Sequence, residues 1–358
     1  MPRQLYFDRL LCGTILALMF FGLVMVFSAT SVNTENSLDL LKKQGFAAVI
    51  GLAAMRGLMF IDYRRFANPR LVQGIAGATV ILLILVLFSS QAANTNRFMS
   101  IFGYQFQPSE LAKLALVVFL SAYLAQNASR LKDWRTVAGA GLIVVILSGL
   151  IVWGKDLGTA VCIAVIAGVM LWAAGIRFRY FVIAGVLGVI AMFVLINVEP
   201  YRWDRIVAFL HPEEDPLGKN YQIRQSKIAV ATGSFLGQGL MDGQQKMYFL
   251  PARHTDFIFA VVCEELGFVA AFFLVAAFGV ILWRGAAIAR HARDDLGRYL
   301  AIGVTAMIVC QAMINLGVVL GMLPTKGLPL PFISYGNSAL IVFLAASGLL
   351  LNVSQHAE

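Results

Sequence analysis

Ten separate stretches of apolar residues decide what this chain can fold into; they run over approximately 10–29, 44–61, 71–90, 108–127, 136–153, 157–176, 179–198, 257–283, 298–321 and 331–352. A bilayer core about 30 Å thick takes roughly 20 apolar helical residues to cross. Apolar residues make up 59% of the 358 positions and charged residues only 13%, against about 25% charged in a soluble domain. So much apolar surface cannot be hidden in one water-soluble core, so lipid is part of the solvent. Disordered, coiled-coil and nucleic-acid-binding architectures are excluded, and no nucleic acid is expected as a partner. Backbone polar groups in lipid must be satisfied within the segment, which favours helices. The expected fold is an all-α polytopic membrane protein with about ten transmembrane helices.

Arg3 and Arg9 precede the first stretch, which lacks a convincing small-residue cleavage site and reads as a retained signal-anchor helix. Ten crossings put both termini on one side. Of the 28 lysines and arginines, 14 lie with the termini and the even-numbered loops, and 5 in the short odd-numbered loops. The long connection 199–256 holds 7 more, but long loops cross largely regardless of charge. Both termini are therefore expected in the cytoplasm, with 199–256 as one large extracytoplasmic loop between helices 7 and 8. The formal charge of +9 is mostly this bias. Residues 1–358 read as a single integral-membrane domain. Within the loop, Asn220 to Met241 is expected on the membrane surface or shallowly re-entrant. Cys12, Cys162, Cys263 and Cys310 sit in apolar runs without metal-site spacing and read as small buried hydrophobes.

Charged groups near hydrocarbon are costly and are functional candidates by default. Here they collect at the outward ends: Asn96-Arg97, Gln107 to Glu110, Lys155-Asp156, Asp204-Arg205, Arg253 to Asp256, and Lys326. Two readings of Asp256 stand: an N-cap of the eighth helix, or a carboxylate beside Arg253 and His254 acting as general base toward a sugar hydroxyl. His254 alone fits a hydrogen-bonding structural residue better than a catalyst. Glu110 and Lys113 share a helical face and fit a buried salt bridge, the sharper alternative being that Lys113 neutralises a phosphate. Glu264 and Glu265, roughly 12–14 Å below Asp256 at 1.5 Å per residue, fit structural pairing. Lys326 is the only basic residue of the proline-rich run Leu323 to Gly336 and is placed to meet an anionic ligand.

Several of these runs occur together in order: Val26 to Thr30, Gln107 to Lys113, Asp156 to Ala160, Asp215 to Gly218, His254 to Phe259, Glu264 to Gly267 and Pro324 to Gly336. Jointly they resemble the SEDS family (shape, elongation, division and sporulation), glycan polymerases of the bacterial cell wall. Val26 to Thr30 and Leu323 to Leu328 resemble the division branch, FtsW; Arg253 to Asp256 and Ser338 to Leu340 lean toward the elongation branch, RodA.

The resemblance implies ten helices and polymerisation of lipid II with release of undecaprenyl diphosphate. It implies Asp256 as the catalytic residue, and Lys113, Arg205, Arg253, His254, Lys326, Glu110 and Ser334 around the substrate. Positive charge for the leaving group would come from the basic residues or from a divalent cation (Mg or Mn). Implied partners are lipid II, undecaprenyl-linked glycan, a class B penicillin-binding protein transpeptidase and divisome or elongasome proteins. The implied location is the bacterial inner membrane, multi-pass, at the division septum. Three positions depart from the family pattern: Ala252 and Gly154, where glutamates are usual, and Asn337, where glycine is usual. Competing functions are a lipid II flippase, an elongation-type polymerase and a non-catalytic scaffold for the transpeptidase.

Overall fold

A computed structural model describes residues 7–31, 34–89, 97–101, 104–198, 221–243, 254–325 and 327–357, with Trp203, Val207 and Phe209. Among the described residues the helices are α1 (Arg9–Thr30), α2 (Thr34–Phe60), α3 (Pro69–Leu87), α4 (Pro108–Gln126), α5 (Trp134–Trp153), α6 (Leu157–Ala173), α7 (Phe178–Val198), α8 (Tyr221–Thr232), α9 (Ile258–His291), α10 (Asp295–Val319) and α11 (Asn337–His356). Each expected spanning stretch carries one of these helices. Eight of them are long and apolar enough to cross a membrane. The other two are α6, a 17-residue apolar helix, and α2, whose first half carries Asp39, Lys42 and Lys43. The chain is thus a membrane protein built of helices. One small departure from the all-helical expectation precedes α4: an antiparallel hairpin of β1 (Met99–Ile101) and β2 (Tyr104–Phe106), with Met99 opposite Phe106.

Helix starts follow local chemistry. Pro69 and Pro108 open α3 and α4, where a missing N–H costs nothing. Asp8, Asp156 and Asp294 cap α1, α6 and α10 through their carboxylates. Burial then separates centre from periphery. The spanning window of α11 is 83% buried, whereas that of α7 is 0% buried and touches the core through the half-buried Tyr180 and Phe181. α11 packs along α2, and α10 packs against α9, α4 and α6. A Cβ on Gly348 would lie 2.4 Å from the Met55 carbonyl oxygen, so α2 and α11 touch backbone to backbone, as small residues permit in membranes.

α9 is not continuous. Gly267 has φ 71° and ψ −171°, which interrupts the helix nine residues after it begins; only glycine takes that conformation without strain. The chain leaving α8 fills the break: Gln238 N–H donates to Glu264 O and Gly239 N–H to Glu265 O, each at 3.0 Å. From the other side Phe268 N–H donates to Ser234 O at 2.9 Å. Irregular backbone at this depth is tolerated because protein satisfies it. Of the two placements expected for this segment, on the membrane surface or shallowly re-entrant, the first does not hold. It is docked into the bundle, with Ile223, Ser226 and Ala229 of α8 buried and Ser226 Oγ bonded to Val319 O at 2.8 Å.

Candidate active site

Asp256 lies in the turn from His254 to Phe257 that leads into α9. Phe257 is the cap position and makes no side-chain cap bond. Asp256 is thus not the N-cap that its place beside a helix start allowed. Behind the turn, Phe257, Ile258 and Phe259 are buried, while His254, Thr255 and Asp256 are half-buried. The turn is anchored by its apolar side and presents its polar one.

Its backbone is tied to the proline-rich loop between α10 and α11. Asn315 Nδ2 of α10 donates to Asp256 O and to Leu328 O, each at 2.8 Å. Ser334 Oγ donates to Thr255 O at 2.5 Å and accepts from Leu330 N–H at 2.7 Å. Tyr335 N–H donates to His254 O at 2.8 Å, and its ring meets the His254 ring edge-on at 5.7 Å. Gln44 of α2 closes the far side, donating to Ser334 O and accepting from Gly336 N–H, both at 3.2 Å. These bonds hold the Asp256 backbone without drawing on its carboxylate. A fixed main chain under a reacting group is what positional catalysis requires.

Gly327 is where charges meet. A Cβ built on it would lie 3.4 Å from Asp256 Oδ2 and 3.8 Å from Arg97 Nη1. Arg97, just before β1, thereby flanks the same point as Asp256. Its Nη2 donates to the Lys155 carbonyl, and Nη1 is 4.0 Å from Asp156 Oδ1. Asp156 is absorbed structurally, accepting from Thr159 N–H at 3.1 Å, Thr159 Oγ1 at 2.8 Å and Gln107 Nε2 at 3.1 Å.

A second polar chain runs beneath. Lys113 and Glu110 are fully buried and paired at 2.7 Å. Lys113 Nζ also donates to Gln311 Oε1 and lies 5.1 Å from the Phe343 ring centroid. Gln311 Nε2 donates onward to Pro329 O at 2.8 Å. The buried ammonium therefore supports the loop beside Asp256 from inside the bundle. Glu265, buried on α9, accepts from Ser28 Oγ of α1 at 2.5 Å, a cross-helix polar tie.

A model of cell cycle proteins that groups FtsW, RodA and SpoVE matches residues 8–358. The chain belongs to the FtsW/RodA/SpoVE family. It is 41% identical to the probable peptidoglycan glycosyltransferase FtsW of Geobacter metallireducens, over 97% of this chain and 94% of that protein. It is 38% identical to stage V sporulation protein E of Bacillus subtilis, over 98% of each. Among solved structures it resembles a chain of a peptidoglycan synthase complex that coordinates polymerization and crosslinking, with a TM-score of 0.81, 30% identity and 97% of each chain covered. It also resembles RodA of Thermus thermophilus, with a TM-score of 0.73, 28% identity and 99% and 98% coverage. The SEDS resemblance read from the motifs is borne out, and with it the FtsW branch.

Within this FtsW/RodA/SpoVE chain the expected site residues divide by place. Asp256, His254 and Ser334 come together at the turn, with Ser334 and the His254 backbone spent on tying the two loops. Glu110 and Lys113 form the expected buried pair, and Lys113 has no exposed surface from which to meet a phosphate. Arg205, Arg253 and Lys326 lie outside the described residues. Sequence reasoning noted Arg97 among the outward charges without assigning it to the site, and it passed over Gln44, Gln311 and Asn315. The last two carried a usable signal: amides four positions apart fall on one face of the largely apolar second half of α10.

Proposed function

We propose that this membrane protein is a peptidoglycan glycosyltransferase that polymerises lipid II, with Asp256 as its general base, serving septal wall synthesis in division. The observation that carries this reading is the half-buried Asp256 carboxylate on a main chain pinned by Asn315 and Ser334, with Arg97 across Gly327. The relatives' names supply the substrate class.

The reaction is a single displacement. Asp256 takes the proton from the 4-hydroxyl of the acceptor's GlcNAc as that oxygen attacks the anomeric carbon of the donor's MurNAc. The bond from that carbon to the diphosphate oxygen breaks, undecaprenyl diphosphate departs with the electron pair, and the anomeric configuration inverts. Charge building on the diphosphate requires cations held in place before reaction. Arg97 is the described residue suited to this, with Arg205, Arg253 and Lys326 as further sources. Among the described residues no three His, Cys, Asp or Glu side chains converge on a metal-binding point, and the steps above use the chain's own groups. A class B penicillin-binding protein that crosslinks the new glycan is the expected partner, together with divisome proteins.

The test is polymerisation of lipid II by the purified protein with its transpeptidase partner, wild type against Asp256→Asn. A positioned general base contributes about 10²–10⁴-fold, and a loss of that order is expected. Wild-type glycan yield from the variant would remove Asp256 from this role.

A further inference from the structure

A cavity of about 970 Å³ opens between α6, α9 and α10 at the end of the bundle away from Asp256. That volume lies at the upper end of the roughly 300–1,000 Å³ typical of ligand pockets. Its lining is graded along the helices. Trp172, Leu282, Ile302, Ala306 and Val309 form an apolar slot, and Arg290, Arg293 and Arg298 stand at its mouth. Arg290 is eight positions beyond Leu282 on α9, and Val309 is eleven beyond Arg298 on α10. At 1.5 Å per residue the slot is roughly 12–16 Å deep. A bilayer core is about 30 Å thick, so the slot has the depth of one leaflet.

The slot is open along its side, with Trp172 72% and Leu282 50% exposed. Asp294 and Asp295 also line the mouth. The Asp294 carboxylate is engaged elsewhere, accepting from Tyr63 Oη at 2.9 Å, Arg64 Nε at 3.3 Å and Gly297 N–H at 2.7 Å. Asp295 remains as the acid set against the arginines. Arginines at this end follow from ordinary inward charge bias, and an apolar slot alone follows from small residues such as Gly285 and Ala306. Together, one leaflet apart, they match an amphiphile with a negative head.

We propose that this slot binds an anionic phospholipid of the surrounding membrane, its phosphate at Arg290, Arg293 and Arg298 and an acyl chain along α10. Basic pockets between membrane helices on the cytoplasmic side are suited to such headgroups. The site is separate from Asp256 and stands whether or not Asp256 is the base.

Native mass spectrometry of the full-length protein, given equal phosphatidylglycerol and phosphatidylcholine, tests this. Wild type is expected to retain phosphatidylglycerol preferentially. Arg290→Gln with Arg298→Gln should weaken that retention about 30-fold, each basic residue near the surface being worth roughly fivefold toward anionic lipid. Arg130→Gln with Lys132→Gln removes equal charge from the connection between α4 and α5 and should leave retention intact. Ala306→Phe fills the slot at constant charge and should also release the lipid. The proposal fails if both charge variants lose lipid equally, if Ala306→Phe retains it, or if wild type holds the two lipids alike. Should the double rim variant not fold, Arg298→Gln and Ala306→Phe decide between the same outcomes.

Discussion

Asn315→Leu is the sharpest probe of how the Asp256 turn is held. Asn315 is 1% exposed and bridges Asp256 O and Leu328 O through one amide nitrogen. Leucine keeps the branched outline and the number of side-chain heavy atoms, though it is bulkier, and removes both donors. Each buried carbonyl left without a partner costs about 1–3 kcal/mol. Asn315 Oδ1 has no hydrogen-bond partner among the described residues, so removing it offsets about one such cost. The net loss is about 2 kcal/mol, and if it falls on docking the turn against the loop, the rate drops roughly 30-fold. Lipid II polymerisation by folded variant and wild type, read as kcat and KM across pH, measures this. Because the Asn315 hydrogen bonds go to main-chain oxygens, kcat should fall while the shape of the pH profile, set by the reacting groups, stays. A folded variant within twofold of wild type would refute the claim that this amide positions Asp256.

Lys113→Met strands Glu110 in the bundle and should cost about 3–5 kcal/mol, much of it recovered in Glu110→Gln with Lys113→Met; thermal unfolding in detergent reports both, and an equally unstable double variant would rule out the charge as the cause. Gly348→Ala puts a methyl 2.4 Å from Met55 O and should destabilise the α2–α11 pair by about 1–3 kcal/mol, seen as a lower Tm. Between α2 and α3, burial and then the hydrogen bond to Asp294 push the Tyr63 phenol from 10.0 up to about 12. The folded state keeps a proton that the unfolded state releases, so this stabilisation is complete below pH 10 and is lost as pH rises to about 12. Tyr63→Phe should lack that alkaline decline in a Tm-against-pH series.

Hydropathy alone determined that this chain lives in a membrane and where its helices run, because crossing a bilayer is a sum over local residues. Motif order determined the family, and one-turn spacing was enough to pair Glu110 with Lys113. Tertiary structure decided the rest. Asn315 reaches Asp256 across 59 positions, and Gln44 reaches Ser334 across 290, separations over which no local pattern carries information. The break in α9 was equally hidden, since Gly267 in an apolar run reads as uninterrupted helix until the chain after α8 donates hydrogen bonds into it. Arg97 joins Asp256 only because the hairpin and the proline-rich loop converge on Gly327. Local sums write the spans; contacts between distant segments, each needing a donor opposite an acceptor, build the site.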